Sequence, residues 1–200
     1  MKILKWIGMG IAAVVLLLVV VAFCLPRKFH VERSIAIDAP PEAIHAVVTR
    51  LREWPTWTAW TAERYPDMKI AFAGPEEGVG AKQSWEGKSS GRGSIEITKS
   101  SPEEGVDYDF AFDGNPSTGG ISFFPGPDTT LVTWYADGDL GRNPVARYFG
   151  LLMDRFMGPD FETGLRNLKK KAEAANTLAA GVEPLIEAKS TDKSPAEGRQ

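Results

Sequence analysis

Residues 107–137 read DYDFAFDGNPSTGGISFFPGPDTTLVTWYAD, and the fold follows from how this stretch is punctuated. Tyr108, Phe110 and Phe112 alternate with polar or small neighbours, which places them on one face of a strand over 107–112. Two further strands follow, over 120–124 and 130–137. Gly114-Asn115-Pro116, Pro125-Gly126-Pro127-Asp128 and Asp137-Gly138-Asp139 carry turn chemistry. The same pattern holds upstream. Strands are expected over 69–73, 82–86 and 94–99, closed by Gly74-Pro75 and Gly87, with Ile95 and Ile97 in register. No helical segment separates these strands, so a parallel sheet is excluded and an antiparallel meander is predicted.

The flanks complete the order. Phe29–Ala39 (FHVERSIAIDA) alternates and is a strand, with Arg33 on its apolar side at an open end. Asp38-Ala39-Pro40-Pro41-Glu42 then opens a helix that carries Ala43, Ile44, Val47, Val48 and Leu51 at helical spacing. Trp54, Trp57 and Trp60 follow at every third residue. At the far end Val145, Phe149, Leu152 and Phe156 recur at helical intervals, as do Phe161, Leu165, Leu168 and Ala172. Gly158-Pro159-Asp160 between them predicts a kink or a fresh start. The class is α+β: a curved antiparallel sheet whose concave face is closed by a long C-terminal helix.

Ahead of this domain, Ile7–Leu25 (IGMGIAAVVLLLVVVAFCL) carries no charge and is followed by Pro26-Arg27-Lys28. As a helix it would extend about 28 Å, close to the hydrocarbon thickness of a bilayer. It reads as a retained single-pass anchor. A cleaved signal is the rival, but the run is long for one and no A-x-A site closes it. Phe23 stands where a lipidated Cys24 would need a small neighbour. Lys2, Lys5 and the amino terminus balance Arg27, Lys28 and Arg33, so the positive-inside count is a tie. The short basic N-tail favours an extracytoplasmic domain. The expected division is an anchor over 1–28, a domain over 29–175, and a disordered tail over 176–200, where aromatics vanish.

Composition narrows the function. Of 23 Lys+Arg and 26 Asp+Glu, residues 1–33 hold five and one, which leaves 18 and 25 in the remainder, a net of −7. An acidic domain is a poor partner for nucleic acid. The one cysteine, Cys24, lies in the apolar run, so the domain has no disulfide, thiolate nucleophile or cysteine metal site. His30 and His45 have no adjacent nucleophile. No Gly-x-Ser-x-Gly elbow, phosphate loop or dinucleotide fingerprint appears. Gly91-Arg92-Gly93 reads as a turn. Asp107 and Asp109 share the solvent face of their strand, short of the ligand set a calcium loop requires. No catalytic residue, metal site or cofactor is assigned.

Several pieces, in order, carry a resemblance: His30–Ile35 with Asp38–Glu42, Trp54-Pro55-Thr56-Trp57-Thr58-Ala59-Trp60, Gly78-Val79-Gly80-Ala81 with Trp85-Glu86-Gly87, Val132-Thr133-Trp134, and Met157–Leu165. The chain resembles the SRPBCC superfamily (START-like, or Bet v 1-like), and within it the membrane-anchored bacterial polyketide cyclase/dehydrase and lipid-transport type. The resemblance covers about Phe29 to Ala175 and implies the helix-grip fold. It implies no single function, since the superfamily includes carriers, binders, cyclases and co-chaperones. The expected function is membrane-tethered binding of a hydrophobic small molecule or lipid in a cavity between sheet and helix. Candidate lining residues are Trp85, Ile95, Ile97, Tyr108, Phe110, Phe112, Ile121, Phe123, Trp134, Leu152 and Phe156, with Trp54, Trp57 and Trp60 as mouth candidates, of which one or two read instead as a core plug at the base of the sheet. The alternatives are a partner-binding envelope domain with a filled core, or a cofactor-free cyclase using a polar group such as Tyr108, Tyr135, Trp85 or Arg92.

Overall fold

The computed structural model describes residues 2–191. Helix α1 (Lys2–Cys24) leads into β1 (Lys28–Ile37), then α2 (Pro41–Val48), a 3-10 turn (Leu51–Glu53) and the short α3 (Trp54–Trp57). Six strands follow: β2 (Lys69–Ala73), β3 (Lys82–Gly87), β4 (Gly91–Ser101), β5 (Gly105–Phe112), β6 (Asn115–Pro125) and β7 (Thr130–Asp139). Helices α4 (Pro144–Gly150) and α5 (Met153–Thr191) end the chain. The sheet order is β1-β7-β6-β5-β4-β3-β2, antiparallel throughout, so the only non-sequential neighbour is β1 beside β7.

All seven expected strands are present. Two segments read as turns are strand instead: Gly91-Arg92-Gly93 opens β4 and Asp137-Gly138-Asp139 ends β7. The reason is cross-strand packing. A Cβ on Gly93 or Gly138 would fall inside the Trp85 or Phe29 ring, so each glycine is the bed on which an opposite aromatic lies flat. The tight turn after β5 sits at Asp113-Gly114, both at positive φ, and Asn115-Pro116 already belong to β6.

The C-terminal break also moves. It falls at Leu151-Leu152, between α4 and α5, and α5 runs unbroken through Gly158-Pro159. Proline removes the donor for the Arg155 carbonyl, but both residues are exposed, so water can replace it. Gly158 has its own duty. Arg33 of β1 points at it, and its guanidinium donates to Asp154 Oδ1 (2.7 Å) and Glu162 Oε1 (2.9 Å) of α5. The apolar-side arginine is thus a clamp between helix and sheet. Phe161, Leu165, Leu168 and Ala172 face the core at spacings of four and three, as an amphipathic helix requires. Ala172 is the last buried residue among those whose burial is described, and the helix itself continues to Thr191; residues 192–200 of the expected tail lie outside the described residues.

Trp134 is the centre of the core. Its ring stacks on Phe161 at 4.4 Å with 3° between planes, Trp57 tilts against it at 5.3 Å, and Trp54 meets it edge-on at 6.0 Å. A Cβ on Gly164 would lie 2.5 Å from Trp134 Cζ3. Gly164→Ala should therefore destabilise the protein by about 1–3 kcal/mol through overpacking, although the same change in an open helix would stabilise by about 1 kcal/mol. Urea unfolding followed by tryptophan fluorescence reads the sign.

Candidate functional site

The concave face is built from successive rows of inward side chains, one per strand. One row runs Val31, Ala136, Gly119, Tyr108, Ile97, and every member is buried. The next row, two residues along each strand, runs Phe29, Gly138, Ser117, Phe110, Ile95, Gln83, Phe72. Every member of it is only half-buried. Beyond it stand Trp85, half-buried, and Phe112, 48% exposed.

The difference between rows comes from what covers them. Helix α5 lies along β1 and touches β7, while α2 packs on β5 and β6. Helix α2 sits at the end of the sheet where β1 stops and β5 starts: His45 Nε2 meets Ser100 Oγ at 2.8 Å, and Thr130 Oγ1 donates to the Ala39 carbonyl at 2.8 Å. That end is closed. The opposite end, where β1 starts and β5 stops, has no α-helix across the inner face of β2–β5 among the element contacts described; there the 3-10 turn touches β3, and the loop before β2 bonds to Ser89 through Asp67.

The deep half is filled. Trp54, Trp57, Trp134, Tyr108 and Phe161 occupy the space between sheet and α5, at 1–4% exposure. Trp134 Nε1 donates to Tyr108 Oη at 2.7 Å and Trp54 Nε1 to the Val48 carbonyl at 2.9 Å. Trp54 and Trp57, mouth candidates, are therefore the plug itself; only Trp60 is half-buried, edge-on to Trp134 at 6.0 Å. Ile97, Tyr108, Ile121, Phe123 and Trp134 are core. Ile95, Phe110 and Trp85 line the open half, with Phe112 at its rim. Leu152 and Phe156 are 42% and 58% exposed and do not close a cavity as expected, because the break at Leu151-Leu152 turns α4 away from the sheet toward α1.

Sequence reading passed over Phe29, Phe72 and Gln83, which complete the open row. Alternation with Trp85 was the available signal for Gln83. Its Oε1 is buried without a hydrogen-bond partner, the one polar side chain set among the apolar members of that row besides Ser117. Arg52 caps the far edge, with its guanidinium 4.7 Å from the Phe72 ring centre. Arg64 ties the loop after α3 to α5 through Asp160 at 2.6 Å.

A hollow of about 960 Å³ runs across the sheet along the open row, lined by Phe29, Phe72, Gln83, Ile95, Phe110 and Ser117 and by their outward-facing neighbours on either side, such as Ala71, Ser84, Ser94, Lys82, Glu96 and Asp109. It is open, shallow and mixed in charge. No group of three His, Cys, Asp or Glu side chains able to hold a metal comes together among the described residues. His30, held on the outer face by Asp137 Oδ1 at 2.8 Å, is raised in pKa by that bond, and His45 is lowered by burial.

Residues 28–173 match the family model described as polyketide cyclase / dehydrase and lipid transport. The chain belongs to this family. Its helix-grip α+β architecture agrees with solved structures of low identity, which show the fold alone. The di-domain ARO/CYC StfQ from the steffimycin biosynthetic pathway is 12% identical, with TM-score 0.56 over 77% of this chain and 52% of its own. A protein from Thermobifida fusca is 14% identical with TM-score 0.55, over 73% and 94%. TTHA0849 from Thermus thermophilus is 20% identical with TM-score 0.51, over 73% and 98%. The chain thus spans about half of the di-domain protein's length. A search among curated proteins found no match.

Within this family member, burial pushes both inner Tyr108 and outer Tyr135 above their ordinary value, Tyr135 to about 12 with help from the bond to Asp107. Folded tyrosines that hold protons more tightly than the unfolded chain stabilise fully below pH of about 10, and that stability is lost as pH rises through the folded values. Tyr108→Phe should leave Trp134 Nε1 unpaired, cost about 1–3 kcal/mol at neutral pH, and make the alkaline loss shallower. Urea midpoints from pH 7 to 11 measure both effects.

Proposed function

We propose that this protein is a membrane-tethered binder of an apolar small molecule or lipid, and that its site is the open half of the concave face. The observation that carries the reading is the half-buried row of Phe29, Phe110, Ile95 and Phe72 beside an interior already filled by tryptophans. Apolar surface left uncovered next to a sealed core marks a binding face. Gln83 offers one amide to orient a polar end of the ligand.

The tether is supported by α1, whose Lys5–Cys24 segment is long and apolar enough to cross a membrane. Val14 through Leu18 are each at least half exposed, a surface that water does not tolerate in one piece. The domain is also fitted to the helix. Ala22 is completely buried against it, and Arg147 donates to the Phe23 carbonyl at 3.0 Å. A cleaved signal would have no use for that fit.

The aromatic plug favours a second reading, a partner-binding domain with a filled core. Catalysis has the least support, because Tyr108 is sealed by Trp134 and Arg92 points to Glu86 on the outer rim.

Apart from Ala22, no α1 residue is buried among those described, so a fragment beginning at Arg27 suits a binding assay. With a fluorescent fatty acid as probe, Ile95→Glu and Phe110→Glu should each weaken binding about tenfold or more, since a carboxylate in the face opposes apolar burial. Thr118→Glu on the convex face should change nothing. Equal affinity for all four proteins would remove the concave face as the site.

A further inference from the structure

The segment between the sheet and α5 has a surface that the binding reading does not use. Val145, Phe149, Leu151, Leu152 and Phe156 are 42–61% exposed, five large apolar side chains on α4 and the start of α5. The segment is not a frayed loop. Asn143 caps α4 by accepting from the Val145 and Ala146 amides, and Pro144 sits in its first turn. Two arginines, Arg142 and Arg155, flank the patch in sequence, and Arg147 is engaged by the Phe23 carbonyl; the single acid, Asp154, is engaged by Arg33. The rest of the domain is acidic, so this is a local reversal of charge.

Where α4 sits along α1 decides what covers the patch. Tyr148 Oη donates to the Leu18 carbonyl at 2.7 Å, and the Arg147 guanidinium lies 5.5 Å from the Phe23 ring centre. Leu18 is seven residues inside Leu25, about 10 Å along a helix axis. Helix α4 therefore lies beside the last turns of the apolar run rather than beyond its end. Anything that surrounds α1 at the level of Leu18 also surrounds α4.

We infer that α4 and the first turn of α5 form an amphipathic elbow that sinks into the acyl-chain layer of the bilayer beside α1, with Arg142 and Arg155 at the headgroups. This rests on the reading of α1 as a membrane span. The occupant is lipid, because the patch is continuous with the span and basic where headgroups are acidic. A consequence follows for the site. The open half of the concave face lies at the end of the sheet where β1 leaves α1, so the elbow seats the mouth on the lipid surface. An apolar ligand would enter from the leaflet without crossing water.

The test uses the full chain carrying Cys24→Ser, reconstituted in phosphatidylcholine–phosphatidylglycerol vesicles. Nitroxide labels are placed singly through Phe149→Cys, Val145→Cys or Leu152→Cys, with Leu16→Cys in the span and Thr118→Cys on the convex face as references. Labels at 145, 149 and 152 should collide with a water-soluble nickel chelate about tenfold less often than the label at 118, since that reagent is excluded from hydrocarbon. Three lone-cysteine sites keep the result readable if loss of Phe149 weakens the seating. Water-like collision rates at all three, with position 16 shielded, would overturn the elbow and leave the span intact. Water-like rates at position 16 as well would overturn the span and the elbow together. Spin–spin broadening at 149 that vanishes on dilution with unlabelled protein would show a second copy on the patch, and would also overturn it.

Discussion

Everything in this domain is arranged around the contact between Trp134 and Phe161. The two rings stack at 4.4 Å and nearly parallel, and Gly164 one turn later lets the helix backbone come down onto the indole. That contact fixes α5 over β1 and β7. Arg33 then locks the same helix to the sheet edge through Asp154 and Glu162. Because α5 is held to one side, it leaves the inner face of β2–β5 only half-buried over the end of the sheet that α2 does not reach. The proposed binding face is thus what remains after the helix has been positioned by a well-packed aromatic contact, whose geometry is worth more than its buried area alone.

A filled deep half is physically reasonable for a chain of this size. An enclosed apolar void has a stability cost that grows with its volume, about 24 cal/mol per Å³. Trp54, Trp57 and Trp134 remove that cost by occupying the space, and two of the three indole N–H groups find acceptors at Val48 and Tyr108. Trp57 Nε1 does not. The remaining apolar surface lies on the half of the sheet where β1 begins after α1. The filled core and the proposed site thus occupy opposite ends of one sheet.

Much of this was legible in the sequence. Period-two alternation in Asp107–Phe112 and Thr130–Asp137 located strands, and the spacing of Phe161, Leu165, Leu168 and Ala172 located the face of α5. Two kinds of information were not local and so were lost. Gly93 and Gly138 looked like turn residues because their role depends on Trp85 and Phe29 across the ladder. Which of three tryptophans plug the core and which reach a mouth stays open in the sequence for a similar reason. Trp54, Trp57 and Trp60 have one spacing and one residue type, yet two plug the core and one is half-buried, and only the position of Trp134 separates them. Phe156 and Leu152 kept helical periodicity while facing away from the sheet, because the chain break fell at 151–152 rather than at Pro159.

The central claim is that the uncovered half of the concave face holds an apolar molecule in the membrane-bound protein. Native mass spectrometry of the full chain, released from host membranes in a mild non-ionic detergent, addresses it most directly. The account predicts a discrete added mass that leaves on unfolding and is identifiable as a lipid or apolar metabolite. A bare chain mass, unchanged after incubation with host lipid extract, would contradict it and favour the filled-core domain that binds a protein partner.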